Sequence, residues 1–204
     1  KLMNRFYDVS RGSIEINGVD IRKYNLDSLR TQIGYVAQKA HMFKGSIQSN
    51  ICFGKPEASV EEMVHAATVA QASDFISTRE HGYEDEIAED GTNISGGQKQ
   101  RLSIARVILK KPSLYIYDDS FSALDFKTDA TLRKALKPEV KNAIFFVVAQ
   151  RISTIMDSDM IIVLDEGQII GMGTHAQLLK DCSVYQEIAH SQLTQKELDD
   201  YERN

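Results

Sequence analysis

The stretch Leu114-Tyr115-Ile116-Tyr117-Asp118-Asp119 is an apolar run that ends in two carboxylates. A second apolar run, Ala143 to Ala149, follows after a segment of helical character near Asp129 to Lys137. Continuous rather than alternating hydrophobicity is typical of strands that are buried on both faces of a parallel sheet. A strand, a helix and a second strand in this order predict a βαβ unit, and therefore an α/β fold.

Two antiparallel hairpins are predicted on either side of this unit. The segment Ser13 to Gly18 alternates polar and apolar residues, ends in the turn signal Asn17-Gly18 and is followed by Val19-Asp20-Ile21. The run Met160 to Leu164 passes through Asp165-Glu166-Gly167 into Gln168 to Gly171, which has the same character. We therefore expect small antiparallel regions beside the parallel sheet.

Helical spacing dominates much of the remaining chain. Leu2, Met3 and Phe6 lie at helical spacing, and the segment from about Gly45 to Glu86 is mostly helical in pattern. A further helix is predicted from about Gly96 to Leu109, where Pro112 and two lysines mark its end. Between the first hairpin and this insertion, Ile33 to Ala37 predicts a short strand.

Composition limits the classes of function. The chain has 204 residues, 42% of them hydrophobic, which suits one compact domain with a core. A net charge of -5 without a basic block argues against a nucleic-acid partner. No apolar run approaches the roughly 20 residues that a membrane-spanning helix needs. Two distant cysteines, Cys52 and Cys182, indicate a reducing, cytosolic compartment without a disulfide framework.

The predicted helix begins with Ser95-Gly96-Gly97-Gln98. The first amides of a helix and its dipole attract anions, and glycines allow a phosphate to come close to the backbone. An ordinary N-cap serine would give the same local pattern. Asp118, at the end of its strand, can hold Mg²⁺ beside the phosphates of a nucleotide, because α/β sheets bind ligands at the carboxyl ends of their strands. Acidic residues in a surface turn are the alternative.

Taken in order, Ser95 to Gln98, Leu114 to Asp119 and Ser122-Ala123-Leu124-Asp125 resemble the nucleotide-binding domain of ABC transporters over almost the whole chain. The resemblance implies a P-loop NTPase-type parallel sheet with a helical subdomain, and ATP and Mg²⁺ as cofactors. It implies that Ile94 to Gln98 is the signature motif, with Ile94 where leucine is usual. Asp118 would be the Walker B magnesium aspartate, Asp125 would end the D-loop, and Gln38 would sense Mg²⁺ and the attacking water. The segment Met42 to Ile51 resembles exporters rather than importers.

Three departures from the family pattern concern one catalytic site. No GxxxxGK[ST] phosphate loop occurs in the 204 residues, and the family places this loop just upstream of Leu2 and Met3, so it is expected to have been removed or left out. Asp119 stands where the family has a glutamate that polarises water, and its side chain is one methylene shorter. Gln150 stands in place of the switch histidine and cannot gain a positive charge.

These departures predict an asymmetric heterodimer. Paired domains of the family share their sites head to tail, so Ser95, Gly96, Gly97 and Gln98 would complete a competent site on a second nucleotide-binding domain. The site with Asp119 and Gln150 as catalytic residues would turn over slowly. The alternatives are a homodimeric ATPase, a module in which ATP only gates dimerisation, and a DNA-repair or chromosome-organising ATPase, although no sustained heptads lie between Gln38 and Ser95.

The predicted organisation has three parts. Residues 1–39 and 110–182 would form the ATP-binding core, residues 40–109 the helical signature subdomain, and residues 183–204 a helical tail. The chain would work at the cytoplasmic face of the cell membrane, with a transmembrane domain of an exporter as partner. Thr174 is expected to cap a helix, which would make His175 a structural residue.

Overall fold

The computed structural model describes residues 1–194 and shows a mixed α/β fold. Contacts divide the chain into two compact units, Lys1–Val148 and the residues from Ala149 onward. The helices are α1 (Leu26–Thr31), α2 (Ile47–Ile51), α3 (Val60–Val69), α4 (Ser73–Ser77), α5 (Gly96–Lys110), α6 (Phe126–Glu139), α7 (Ile152–Ile155), α8 (His175–Asp181) and α9 (Ser183–Gln192). The strands are β1 (Glu15–Ile16), β2 (Val19–Asp20), β3 (Ile33–Val36), β4 (Gly45–Ser46), β5 (Glu86–Ile87), β6 (Leu114–Asp118), β7 (Ile144–Val148), β8 (Ile161–Asp165) and β9 (Gln168–Gly173).

The first unit is built on a parallel three-stranded sheet in the order β3-β6-β7. Strands β6 and β7 are joined through α6, which confirms the predicted βαβ unit. Strand β6 lies in the middle, and Tyr115, Ile116 and Tyr117 are buried. The carboxyl ends of the three strands therefore lie at one edge of the sheet, where Asp118 ends β6.

Strand β7 differs from the sequence prediction. Its apolar run predicts burial on both faces, yet Ile144 is 68% exposed, and Phe146 and Val148 are also exposed, while Phe145 and Val147 pack on the core. Exposed and packed residues alternate along β7, so they lie on opposite faces of the sheet. Among the described residues, one face of β7 packs on the core and the other face is uncovered.

The helical segment packs as one apolar body with the sheet. Buried side chains of α2, α3, α4 and α5 belong to the same core cluster as those of β6 and α6. The sequence did not predict the short antiparallel pair β4 and β5, which joins the two ends of this segment. Residues 1–7 form hydrogen-bonded turns instead of the expected helix, with Arg5 N donating to Leu2 O.

Both predicted hairpins are confirmed. In the first, Asn17 and Gly18 have φ values of 53° and 75°, the left-handed pair that a two-residue hairpin turn requires. In the second unit, β8 pairs with β9, and α8 and α9 cover one side of this hairpin through Leu178, Cys182 and Tyr185. The predicted subdomain boundaries stay predictions, and residues 195–204 of the predicted tail lie outside the described residues.

Candidate functional site

The two carboxylates at the end of β6 are held by different backbone environments. Asp118 is the last residue of the strand, whereas Asp119 has a φ of 46°, in the left-handed region that aspartate tolerates better than most residues. Asp119 N donates to Val148 O at 2.8 Å, and its own carbonyl accepts from the Ser122 hydroxyl at 2.7 Å. These bonds fix the direction in which the chain leaves the sheet.

Two donors from the end of β3 reach these carboxylates. Gln38 Nε2 donates to Asp119 Oδ2 at 3.0 Å, and the Tyr35 hydroxyl donates to Asp118 Oδ2 at 2.9 Å. The parallel register of β3 and β6 makes this possible because Val36 pairs with Tyr117. The structure thus brings together Gln38, Asp118 and Asp119, three residues that the sequence analysis selected.

Tyr35 is a residue that the sequence analysis missed. Burial of the ring and, next in size, its hydrogen bond to Asp118 raise the pKa of Tyr35 to about 12. The phenol is therefore protonated at neutral pH and can act as a donor. The only sequence signal is its position in the predicted strand, three residues before Gln38, and that signal does not identify the acceptor.

Gln100 is a second missed residue, and it positions the segment that carries Gln38. It is a buried polar side chain on α5, and its Nε2 donates to Ala37 O at 3.0 Å. A buried amide needs such a partner, since leaving it unpaired costs about 1–3 kcal/mol. Helix α5 therefore fixes the backbone immediately before Gln38.

The signature residues form the N-terminus of the 15-residue helix α5. Ser95 Oγ accepts from Gln98 N at 3.2 Å and Gln98 Oε1 accepts from Ser95 N at 3.0 Å, which is a capping box. Ser95 and Gly96 are exposed, and apart from Gly96, its two chain neighbours and the nearby backbone of α5, no described atom lies within 4 Å of the place where a Cβ on Gly96 would be. This end of the helix is therefore capped and open to an anion, so the N-cap interpretation and the phosphate interpretation are both compatible with it.

Gly97 lies against the segment that contains Asp125. A Cβ at Gly97 would be 3.3 Å from Ala123 O, so the close approach favours glycine. Asp125 is the N-cap of α6: its carboxylate accepts from Thr128 N at 2.9 Å and from the Thr128 hydroxyl at 2.7 Å. The hydrogen bond from the Thr128 backbone is the largest cause that lowers the pKa of Asp125. The structure thus brings the predicted signature and D-loop segments together.

Gln150 belongs to the second unit. It is exposed, and its backbone carbonyl accepts from Gln192 Nε2 at 2.9 Å, which ties the start of this unit to the end of α9. Its predicted catalytic role stays a prediction.

The residues at the end of β6 fit a magnesium–phosphate group. Mg²⁺ takes oxygen ligands and usually binds proteins through one or two carboxylates, with phosphates and water completing its shell. Asp118 and Asp119 offer carboxylate oxygens, and Gln38 still has its amide oxygen, because its nitrogen makes the bond to Asp119. In residues 1–194, no group of three or more His, Cys, Asp or Glu side chains is arranged to hold a metal.

Over the same residues, no helix is both long and apolar enough to cross a membrane.

Comparisons with known proteins agree on one family. The family model described as "ABC transporter" matches residues 1–122. The "Putative multidrug export ATP-binding/permease protein YgaD" of Bacillus subtilis is 46% identical over 187 residues, which are 92% of this chain and 32% of the relative. "Heavy metal tolerance factor 1" of Caenorhabditis elegans is 40% identical over 196 residues, 96% of this chain and 24% of the relative.

A solved structure supports the same grouping at the level of the fold. A bacterial Atm1-family ABC exporter, solved with ATP bound, matches with a TM-score of 0.90 and 38% identity over 93% of this chain and 34% of that chain. The chain spans about a third or less of the length of the relatives described above.

Proposed function

This chain belongs to the ABC transporter family, and on that premise we propose that it is the ATP-binding and ATP-hydrolysing domain of an exporter. The observation that carries the proposal is the meeting of Gln38, Asp118 and Asp119 at the carboxyl end of β6. Names of the relatives support the export role, since they include an export ATP-binding/permease protein and an Atm1-family exporter. A transmembrane domain is the proposed partner, at the cytoplasmic face of the cell membrane.

Within this proposal the residues at the sheet edge hold a magnesium nucleotide. Mg²⁺ held by these residues would supply positive charge against the negative charge that develops during phosphoryl transfer. Asp118 provides the carboxylate ligand, and Gln38 binds through its amide oxygen. Asp119 orients the attacking water and accepts its proton, which requires hydrogen-bond reach to that water.

The exposed N-terminus of α5 serves a second nucleotide-binding domain. Ser95, Gly96, Gly97 and Gln98 bind the γ-phosphate of a nucleotide that is held mainly by the partner domain, through the N-terminal amides and the helix dipole. Ala123 O lies beside Gly97, and Asp125, two residues later, caps α6. A shift of α5 would therefore act on the segment between Asp119 and α6. ATP binding then holds the two domains closed, and hydrolysis releases them.

We also propose that this chain's own site is slow and that its partner is a different, competent domain. Asp119 is one methylene shorter than glutamate, its backbone is fixed on both sides, and its carboxylate is bound by Gln38. The short side chain therefore has little freedom to reach a water. Gln150, if it contacts the γ-phosphate, donates a neutral hydrogen bond where a histidine would add charge.

The test is steady-state ATP turnover of the full-length protein as encoded, compared with its Asp119→Glu, Gln150→His double variant. We expect the variant to be at least about tenfold faster, equivalent to about 1.4 kcal/mol of barrier. Adding Asp118→Asn to the variant should remove the gain, because the metal ligand is lost.

Each of the other possible results favours a different function of the domain. A wild type that already matches the variant favours a homodimeric ATPase. ATP binding without turnover in either protein favours a module in which ATP gates dimerisation. A protein that binds no ATP would show that the proposed function is wrong.

A further inference from the structure

We propose that Tyr35 is a positioning residue for the metal ligand: its hydroxyl holds one oxygen of Asp118, so that the carboxylate presents its other oxygen to Mg²⁺. This inference rests on the proposed function, because it assigns Asp118 to the metal. The direct observation is the hydrogen bond of 2.9 Å from the Tyr35 hydroxyl to Asp118 Oδ2.

The sheet register allows this bond over a long sequence separation. Tyr35 pairs with Ile116 in the parallel ladder of β3 and β6, two residues before Asp118. Residues two apart on a strand lie on the same face of the sheet. The length of a tyrosine side chain therefore suits a contact from β3 to the carboxylate at the end of β6.

The ring of Tyr35 is held on its other sides by apolar neighbours. It packs on a buried cluster of Ile21, Leu29, Ile33 and Ile116. It also makes a T-shaped contact with the Phe6 ring, with the centroids 6.0 Å apart and the planes at 78°. Because the ring is fixed, the hydroxyl loses little rotational entropy when it binds Asp118.

A hydrogen bond to a metal-bound carboxylate commonly tunes metal sites. Such partners orient the ligand, and their loss typically lowers metal affinity by about 10- to 100-fold. Here the hydroxyl occupies Oδ2, which favours binding of Mg²⁺ through a single oxygen. Mg²⁺ demands a near-ideal octahedral geometry, so a freely rotating carboxylate would be a poorer ligand.

The chain offers a matched control in Tyr24. Its hydroxyl also makes a hydrogen bond, to Ile16 O at 2.9 Å, and its ring packs on the same apolar cluster as Tyr35. Tyr24→Phe therefore removes a tyrosine hydroxyl from the same cluster without touching Asp118. A purely structural role of Tyr35 would make the two phenylalanine variants behave alike.

The experiment uses the full-length protein as encoded and Mn²⁺ with ATP as the probe, with free Mn²⁺ followed by electron paramagnetic resonance. We expect Tyr35→Phe to weaken Mn²⁺ binding at saturating ATP by about tenfold or more, and Tyr24→Phe to change it less than about twofold. ATP affinity measured in EDTA should be the same in both variants and in wild type. In an Asp118→Asn background, Tyr35→Phe should have no further effect, because its acceptor is already altered.

Three results would overturn the role of Tyr35. They are equal Mn²⁺ affinity in wild type and Tyr35→Phe, an equal loss in Tyr24→Phe, and a full additional loss in the Asp118→Asn background. A wild type that binds no ATP, with or without Mn²⁺, would instead overturn the proposed function and this inference with it.

Discussion

Gly34 shows how a single residue sets the distance between the strand that carries Tyr35 and the helix that carries the signature. A Cβ at Gly34 would lie 2.5 Å from Val107 Cγ1 on α5 and 2.6 Å from Pro112 Cγ. A Cβ atom essentially never lies this close to a non-bonded carbon, so β3 and α5 can pack this closely only with glycine here. The approach also brings Gln100 within reach of Ala37 O.

We therefore expect Gly34→Ala to lower the free energy of unfolding by about 1–3 kcal/mol, the range for overpacking a well-packed core. Gly54→Ala is the matched control: its nearest contact would be 3.8 Å from Arg106 O. This control should change stability by less than about 0.5 kcal/mol. The measurement is urea unfolding at equilibrium. Equal stabilities of the two variants would contradict the packing argument.

At the scale of elements, the start of α8 combines a capping motif with a buried imidazole. Thr174 caps the helix as predicted, with Gln177 completing a capping box. His175 Nδ1 lies 2.7 Å from the Tyr185 hydroxyl on α9, which supports the structural role expected from the sequence. Burial lowers the pKa of His175, and the negative charge of Asp157 offsets part of this effect.

The lowered pKa of His175 predicts that the free energy of unfolding decreases as the pH falls. The decrease spans the range from about pH 6.5 down to the lower pKa of the folded residue. In the unfolded chain, histidine binds a proton near pH 6.5, above the pKa of the folded residue. As the pH drops below about 6.5, the unfolded state therefore binds more protons than the folded state. The titration of His175 lowers the free energy of unfolding by at most about 1.4 kcal/mol per pH unit.

The measurement is urea unfolding of wild type and His175→Gln between pH 8 and pH 5. As the pH falls, wild type should lose stability relative to the variant, while acidic groups that titrate in both proteins cancel in the difference. A difference that stays constant over this range would contradict the prediction.

At the scale of the whole molecule, the end of α5 that we propose to serve a second chain is exposed. Gly97 packs on Ala123 O within the chain, whereas Ser95 and Gly96 are exposed. Substitutions here therefore separate two effects: loss of the helix cap within the chain and loss of a phosphate contact with a partner domain.

We expect Ser95→Ala and Gly97→Asp to reduce ATP hydrolysis by the assembled transporter far more than they reduce ATP binding to this chain. Ser95→Ala also removes a cap, worth about 1 kcal/mol of stability. Ser59→Ala is the control, because Ser59 caps α3 in the same type of capping box. Measurements of turnover and of ATP binding in the complex distinguish the cases. Equal loss of binding and turnover, or an equal effect of Ser59→Ala on turnover, would contradict the shared-site proposal.

Much of the fold could be predicted from local patterns. The apolar runs predicted strands β6 and β7, the Asn17-Gly18 turn predicted the first hairpin, and the serine and glycines before an amphipathic run predicted the start of α5. These features depend on residues near one another in sequence, so hydrophobic period, turn chemistry and capping residues are enough to predict them. The carboxylate at the end of an apolar strand also identified Asp118 as a candidate ligand of Mg²⁺. Gln38 and the catalytic role of Asp119 were candidates through the resemblance to ABC transporters.

Only the tertiary structure decided which groups meet. The bonds from Tyr35 to Asp118 and from Gln100 to Ala37 join residues more than 60 positions apart, so they depend on strand order and on helix packing. The exposed face of β7 depends on which elements pack on the sheet. Hydrophobic pattern shows that a strand is apolar but not whether both of its faces are covered by other elements. Side-chain hydrogen bonds depend on distances of a few tenths of an ångström, which no local sequence pattern encodes.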